Sequence, residues 1–375
     1  MQPKHEQVTE LRLAGEPLRL IDPTRIYVCG ITPYAVTHLG HASTFIWTDV
    51  LARILRDAGV RPVVTRNVTD VDDVLTAAAA RAGAHADRFA YLQQYDFDRD
   101  MTALRVRRPD HEPRARHHID SVIRLCHELL DVGAAYEAAG SVYFPGAGVA
   151  DRAGLTESSA LALAREYGGR VDDPAKRHPL DSAVWQGSGP DEPSWPSPWG
   201  PGRPGWHAEC VSMVLSTYGP AVDIHAGGAD LAFPHHAFEA AIAEAVTAVT
   251  PFARRWWRVG VVNVEGAKMA KSTGNLVLVA DLLSEHSPAA IRMLVLDRAW
   301  NEPWNFEPAA FQHAHDRLDR LRVAAARPST SATNHANVET RRALRSDLDI
   351  PRAIDIAVEA GGDAAAELLD LLRLE

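Results

Sequence analysis

Several groups of residues in this chain have the types and spacing that chemistry requires. His38-Leu39-Gly40-His41 lies where a short strand, RIYVCG (25–30), gives way to a helix expected from His38 to about Ala58, with Thr37 as its N-cap. A helix start offers free backbone N–H groups and the positive end of the helix dipole, which suits a phosphate. Gly40 lets a ligand approach the backbone, and two imidazoles can donate to phosphoryl oxygens. Two surface histidines at a helix end are the plainer alternative. Gly266-Ala-Lys268-Met-Ala-Lys271-Ser272-Thr-Gly274 sets two ammonium groups three residues apart in a loop after a strand. Such a pair can close over a departing pyrophosphate as charge develops. A merely solvated pair is disfavoured by composition. The chain has only four lysines, Lys4, Lys176, Lys268 and Lys271, and every other basic residue is arginine.

Cys29, Cys210 and His235 fall at or near expected element ends, and Glu239 follows His235 by one helical turn on the same face. Two thiols and an imidazole with a weak or absent fourth ligand suit zinc that keeps an exchangeable position. Buried structural cysteines beside a helix-start histidine would look the same, and Glu239 can be either ligand or orienting neighbour. Cys126 sits in an apolar helical stripe and reads as core. Gly228-Ala229-Asp230 follows the strand AVDIHAG (221–227), where an aspartate can take ribose hydroxyls or simply cap a turn. Trp195, Trp199 and Trp206 lie in a proline-stiffened stretch, either as a flap over a pocket or as a plug at a domain junction.

These residues need a scaffold that gathers loop ends. Strand readings at 25–30, 61–69, 221–227 and 256–266 alternate with helix readings at 38–58, 70–83 and 235–249. That rhythm predicts an α/β fold with right-handed crossovers and a doubly wound parallel sheet. Residues 86–133 read as helical, 140–205 as irregular around the small strand SVYFP, and the chain after Ser284 as helices broken by a loop at 326–334. The expected division is a catalytic domain at 1–285, carrying an insertion at about 86–205, and a helical domain at 286–375. The 375 residues carry 39 Lys+Arg against 49 Asp+Glu, a net charge of −10, which disfavours a dedicated nucleic-acid binder. No apolar run is long enough for a membrane span. Three cysteines make no disulfide framework, and a cytoplasmic location is expected.

In this order along one chain, CGIT-PY-HLGHA, NVTDVDD, GWHAEC, GGAD-FPHH and KMAKS resemble the catalytic core of the cysteinyl-tRNA synthetases, a class I aminoacyl-tRNA synthetase fold. They are more similar still to the related ATP-dependent cysteine ligases of mycothiol biosynthesis, through YVCGITPY, Glu166-Tyr167-Gly168-Gly169, SWPSPWGPGRPGWHAEC and KSTGNLVLV. The resemblance implies a Rossmann-type catalytic domain with a connective insertion and a C-terminal helical domain. It also implies an AMP-forming carbon–nitrogen ligase that joins L-cysteine to the amine of glucosaminyl-inositol through a cysteinyl-adenylate.

Carried over by motif, Cys29, Cys210, His235 and, as in the synthetases, Glu239 would hold one zinc ion. Gly30, Ile31, Thr32, Thr44, Asn67, Val68, Thr69 and Trp206 would surround the cysteinyl-adenylate. His38, Gly40, His41, Lys268, Lys271 and Ser272 would serve the triphosphate, with Mg2+, and Gly228, Ala229, Asp230 and Val262 the nucleoside. The sequence departs from the families at Ala35, Ala226, Ala229, Ala237 and Ala270, and Glu239 is unexpected in the ligases. The acceptor therefore stays open, and a paralogue using another amine is the alternative. A cysteinyl-tRNA synthetase would need a longer anticodon-reading end. Residues 301–375 hold nine arginines against thirteen acidic residues, so no tRNA partner is expected. A non-catalytic relative would be expected to lose the paired histidines and lysines. A monomer acting on small molecules is expected.

Overall fold

The structure is a computed structural model and describes residues 10–34, 36–189, 192–269 and 274–375. Four parallel strands form the central sheet, in the order Ala253–Val259, Val222–Gly228, Thr24–Ile31 and Pro62–Val68. Along Thr24–Ile31 the side chains alternate between two cores. Ile26 and Val28 join a cluster with the helix Leu39–Asp57 and the C-terminal helices, while Tyr27 and Cys29 join a cluster with the inserted region. A strand buried on both faces reads as a continuous apolar run, which is why RIYVCG is legible.

Several elements differ from the sequence reading. The first crossover helix is capped by His38 rather than Thr37, because Leu39 N–H donates to Val277 O (2.8 Å) and Val279 N–H to Thr37 O (3.0 Å). Thr37 and His38 are thereby held extended against the segment that follows the lysine loop. The helix expected at 70–83 is shorter, Asp73–Arg81, with Asp72 as N-cap. The expected strand 256–266 breaks at Gly260, where a Cβ would lie 2.1 Å from Glu302 O. Beyond it, Val262–Val264 pairs with Trp304–Phe306 in a separate small sheet. The helix expected at 235–249 is Ala237–Thr247, preceded by a turn at Ala232–His236 in which Phe233 is extended.

Residues 86–133 form two helices, Ala86–Ala103 and Ile119–Asp131. The Pro109- and Pro113-containing stretch between them covers the sheet edge, with Arg66 N–H donating to His111 O and Val68 N–H to Pro113 O. The region expected to be irregular contains a four-stranded antiparallel sheet: Tyr136–Ala138, Ser141–Phe144, Ser182–Gly187 and Gly202–Pro204. Its strands are three to six residues long, too short to show a period. An N-terminal hairpin, Glu10–Leu13 with Glu16–Arg19, also had no reading. The expected loop at 326–334 ends early, because the Thr330 capping box starts the helix Ser331–Arg345. The core that contains Ile26 runs on through Leu294, Leu321 and Leu374, across the expected boundary at 285/286. Among the described residues no helix is long and apolar enough to cross a membrane.

Candidate functional site

Parallel strands deliver their carboxyl ends to one edge, and the sequence-predicted residues gather there. Cys29 lies near the end of its strand, Cys210 on the helix Trp206–Tyr218, His235 in the turn before the next helix, and Glu239 on that helix. All four are buried, and their ligand atoms lie within 4.8 Å of one another. Glu239 sits 3.8 Å from Cys29 Sγ and 3.7 Å from His235 Nε2. Burial raises the Cys29 thiol well above its usual range. For Cys210 burial acts upward too, but the bond to Cys29 and the charge of His235 outweigh it and lower its pKa. Burial likewise opposes ionisation of Glu239, yet His235 and His225 bring it down to about 2.

Cys29 and Glu239 also lie within 4.8 Å of His225 and His236, so a second ligand set overlaps the first. The first is the better metal set. It has two thiols, and Arg258 Nε–H donates to His236 Nδ1 (3.3 Å), which places the proton on His236 Nε2 and removes its ligating lone pair. His225 Nε2, 3.5 Å from Glu239 Oε2, flanks the carboxylate from the other side. His225, inside an apolar strand, and His207, whose Nδ1 meets His235 Nδ1 at 2.9 Å, had no reading in the sequence. Burial inside a regular element leaves no local signal.

Beside this cluster, Gly30, Ile31 and Thr32 run next to Asn67, Val68 and Thr69. Gly30 N–H donates to Asn67 Oδ1 (2.6 Å), Asn67 Nδ2 donates to Cys210 Sγ (3.0 Å), and the Thr32 and Thr69 hydroxyls bond at 2.7 Å. A Cβ on Gly30 would overlap Asn67 O at 1.8 Å, so only glycine allows this approach. Trp206 stacks on His235, centroids 4.1 Å apart. Thr44 turns its hydroxyl to Gly40 O within the helix (3.4 Å). Trp199 packs against Trp185 and His127, away from this edge. It plugs the inserted sheet.

His38 and His41 stack at 3.8 Å, and burial pulls His41 down to about 4. A Cβ on Gly40 would meet Met269 Cε at 3.3 Å, so the histidine turn touches the lysine loop. Lys271 and Ser272, with Ala35 and Ala270, lie outside the described residues. Lys268 Nζ bonds Asp230 Oδ2 at 2.7 Å and the Tyr167 hydroxyl at 2.8 Å. These three residues and Ala229 line a cavity of about 680 Å³. Gly228 precedes Ala229, and a Cβ on it would lie 2.3 Å from Asp230 Oδ1. Val262 is buried in the core, and its neighbours Val261 and Asn263 face the cavity instead.

The sequence matches the model of the class I (C) tRNA synthetase catalytic domain over residues 20–316. The chain belongs to that family. Among curated relatives, the L-cysteine:1D-myo-inositol 2-amino-2-deoxy-alpha-D-glucopyranoside ligase of Parafrankia sp. (strain EAN1pec) is 42% identical over 96% of this chain and 84% of its own length. The same ligase from Thermobispora bispora is 39% identical over 96% of this chain and 94% of its own. At that identity and coverage this is a ligase of their family. The fold is shared with Mycobacterium tuberculosis methionyl-tRNA synthetase in complex with methionyl-adenylate, with a TM-score of 0.68, 15% identity, and coverage of 94% of this chain and 84% of that one.

Proposed function

We propose that the protein joins L-cysteine to the amine of glucosaminyl-inositol, using ATP with Mg2+ and passing through cysteinyl-adenylate. The observation that carries this is the juxtaposition at one sheet edge of a buried Cys29/Cys210/His235/Glu239 cluster and a nucleotide-sized cavity holding Asp230 and Lys268. Two thiols, an imidazole and a carboxylate within 4.8 Å fit a zinc ion. When bound there, zinc would offer a soft position for the substrate's thiolate, a discrimination against serine that shape alone cannot reach.

The chain's own residues then divide the work. Gly30, Thr32, Asn67 and Thr69 hold the cysteinyl backbone, and Trp206 covers it. Asp230 takes the ribose. His38 and His41 donate to the phosphates while the cysteine carboxylate oxygen attacks the α-phosphorus and the bond to pyrophosphate breaks. Lys268, freed from Asp230 by the nucleotide, and Lys271 neutralise the departing charge. In the second half the free amine attacks the adenylate carbonyl carbon. The carbon–oxygen bond to AMP breaks, its electron pair leaves with AMP, and the amine's proton passes to solvent. The protein acts as a cytoplasmic monomer without tRNA.

The test is AMP formation from ATP and L-cysteine with and without glucosaminyl-inositol, with the amide scored by mass. Acceptor-dependent turnover supports the reading, and pyrophosphate exchange without amide overturns the acceptor. Glu239 at the cluster and Ala237 beside it favour, as a second reading, a paralogue that uses a different amine.

A further inference from the structure

A second cavity, of about 210 Å³, lies beside the nucleotide cavity. Asp72 and Asp73 at the start of one helix, Trp206 and Glu209 on another, and the inserted segment around Gly169 and Lys176 form its walls. Tyr167 lines both cavities and is their common partition. Trp206, which lines only the second, stacks on His235 of the cysteine-side cluster. A group seated in the second cavity therefore meets an adenylate in the first at Tyr167 and Trp206, where the acyl carbon must lie for transfer.

The lining specifies what fits. Glu209 is 2% exposed, and its Oε2 has no hydrogen-bond partner among the described residues. A buried carboxyl oxygen left unpaired is costly, so a polar group from outside gains by reaching it. Five acidic side chains (Asp72, Asp73, Asp173, Asp181, Glu209) and three cationic ones line the cavity; Arg203 is held by Asp73 and Glu192, and Asp181 by the Tyr136 hydroxyl and two backbone N–H groups. Such a lining, rich in acidic side chains, suits a ligand rich in N–H and O–H groups. Tyr143 and Trp206 supply flat walls for the C–H faces of a ring.

We infer that this second cavity is the acceptor pocket, that its ligand is an amine-bearing cyclic polyol, and that Asp72 and Glu209 receive the donors of that ligand. The inference rests on the ligase reading above. It assigns the acceptor site that the sequence left open, and it explains why the inserted region is part of the active edge.

The experiment separates the two half-reactions. The wild-type protein is first assayed for amide formation with glucosaminyl-inositol; if pyrophosphate exchange runs with no amide, the ligase reading fails and this assignment with it. With amide formation established, Asp72→Asn is the main variant, since asparagine caps a helix as well as aspartate does. The acceptor KM is expected to rise roughly 10- to 100-fold, the loss of a charge-assisted hydrogen bond. Cysteine-dependent exchange should stay within about twofold. Ala164→Phe, which fills the cavity from the helix Glu157–Glu166 of the inserted region, should do the same, its zinc content being measured as well. Glu209→Gln is read alongside its zinc content, so that disturbance of neighbouring Cys210 is recognised. An unchanged acceptor KM in both Asp72→Asn and Ala164→Phe overturns the assignment. So does an equal fall of both half-reactions, which would place these residues in the adenylation site.

Discussion

Lys268 joins two walls of the cavity of about 680 Å³: its ammonium bonds Asp230 Oδ2 at 2.7 Å and the hydroxyl of Tyr167 at 2.8 Å. Burial alone would lower the lysine's pKa, but Asp230 and Tyr167 raise it, so Lys268 stays charged throughout the physiological range. The pair is 41% and 28% exposed, and such pairs contribute only about 0–1 kcal/mol to stability. Asp230→Asn should therefore melt within a few degrees of the wild type. If Asp230 serves the ribose, the same variant should raise the ATP KM about tenfold or more while the cysteine KM holds. An unchanged ATP KM would make the pair a surface contact only.

Lys271 is the second ammonium of the loop, and its role rests on the sequence. A group that meets charge only as pyrophosphate departs should affect kcat rather than ground-state binding. Lys271→Ala is expected to slow cysteine-dependent exchange by roughly 10²–10³-fold, with cysteine affinity by calorimetry nearly unchanged. Equal losses in both would mean that the loop is structural.

Cys210 lies in the candidate metal cluster, where Asn67 Nδ2 donates to its sulfur at 3.0 Å. Cys210→Ala should lose zinc by elemental analysis and cysteine-dependent exchange together. A chelator should also lower the melting temperature of the wild type, because an ion bound only by the folded state stabilises it, by about 2.7 kcal/mol at a hundred times its Kd. Retention of stoichiometric zinc and full exchange in the variant would contradict the ligand assignment.

His41 gives a pH prediction. Burial brings its pKa from 6.5 to about 4, so the unfolded chain takes up this proton well before the folded one does. Between about pH 4 and 6.5 the unfolded state binds more protons, and this group makes stability rise with pH in that window and level off above it. Replacing His41 with Asn should flatten that part of the curve when urea midpoints are compared at pH 5 and 7. His207 and His236, also buried and lowered, would keep the remaining slope. An identical slope in both proteins would show that His41 is not held neutral.

What the sequence made legible follows from burial and spacing. The apolar runs around Ile26 and Ile224 mark strands buried on both faces, and Cys29 lies near the end of the first, while Cys210 sits in a helix and His235 in a turn. Glu239 was placed by its one-turn spacing from His235. Tyr167 bonds Lys268 across about a hundred residues, so its neighbours in sequence say nothing of its partner, although Glu166-Tyr167-Gly168-Gly169 stood out as a motif. The antiparallel strands around Val142 and Trp185 are short and bounded by proline and glycine, and pair across some forty residues. No local period could reveal them. The helical end also reads as a separate domain from its run of helices, while its side chains share one core with the sheet.

That shared core has a specific fastening. Arg292 is fully buried: its guanidinium pairs with Asp49 Oδ2 at 3.1 Å and donates to Leu372 O at 2.8 Å and Leu104 O at 3.1 Å. One side chain thus ties the C-terminal helix, the first crossover helix and the end of the helix Ala86–Ala103. Breaking a buried ion pair costs about 3–5 kcal/mol when the partner charge is left bare. Here Asp49 keeps Arg53 at 2.8 Å and the Arg107 N–H at 3.1 Å, so the lower end of that range applies. Arg292→Met should lower the urea midpoint by the equivalent of about 3 kcal/mol in one cooperative transition. Two separated transitions in the wild type, with the variant altering only one, would show that the helical end folds independently despite the common core.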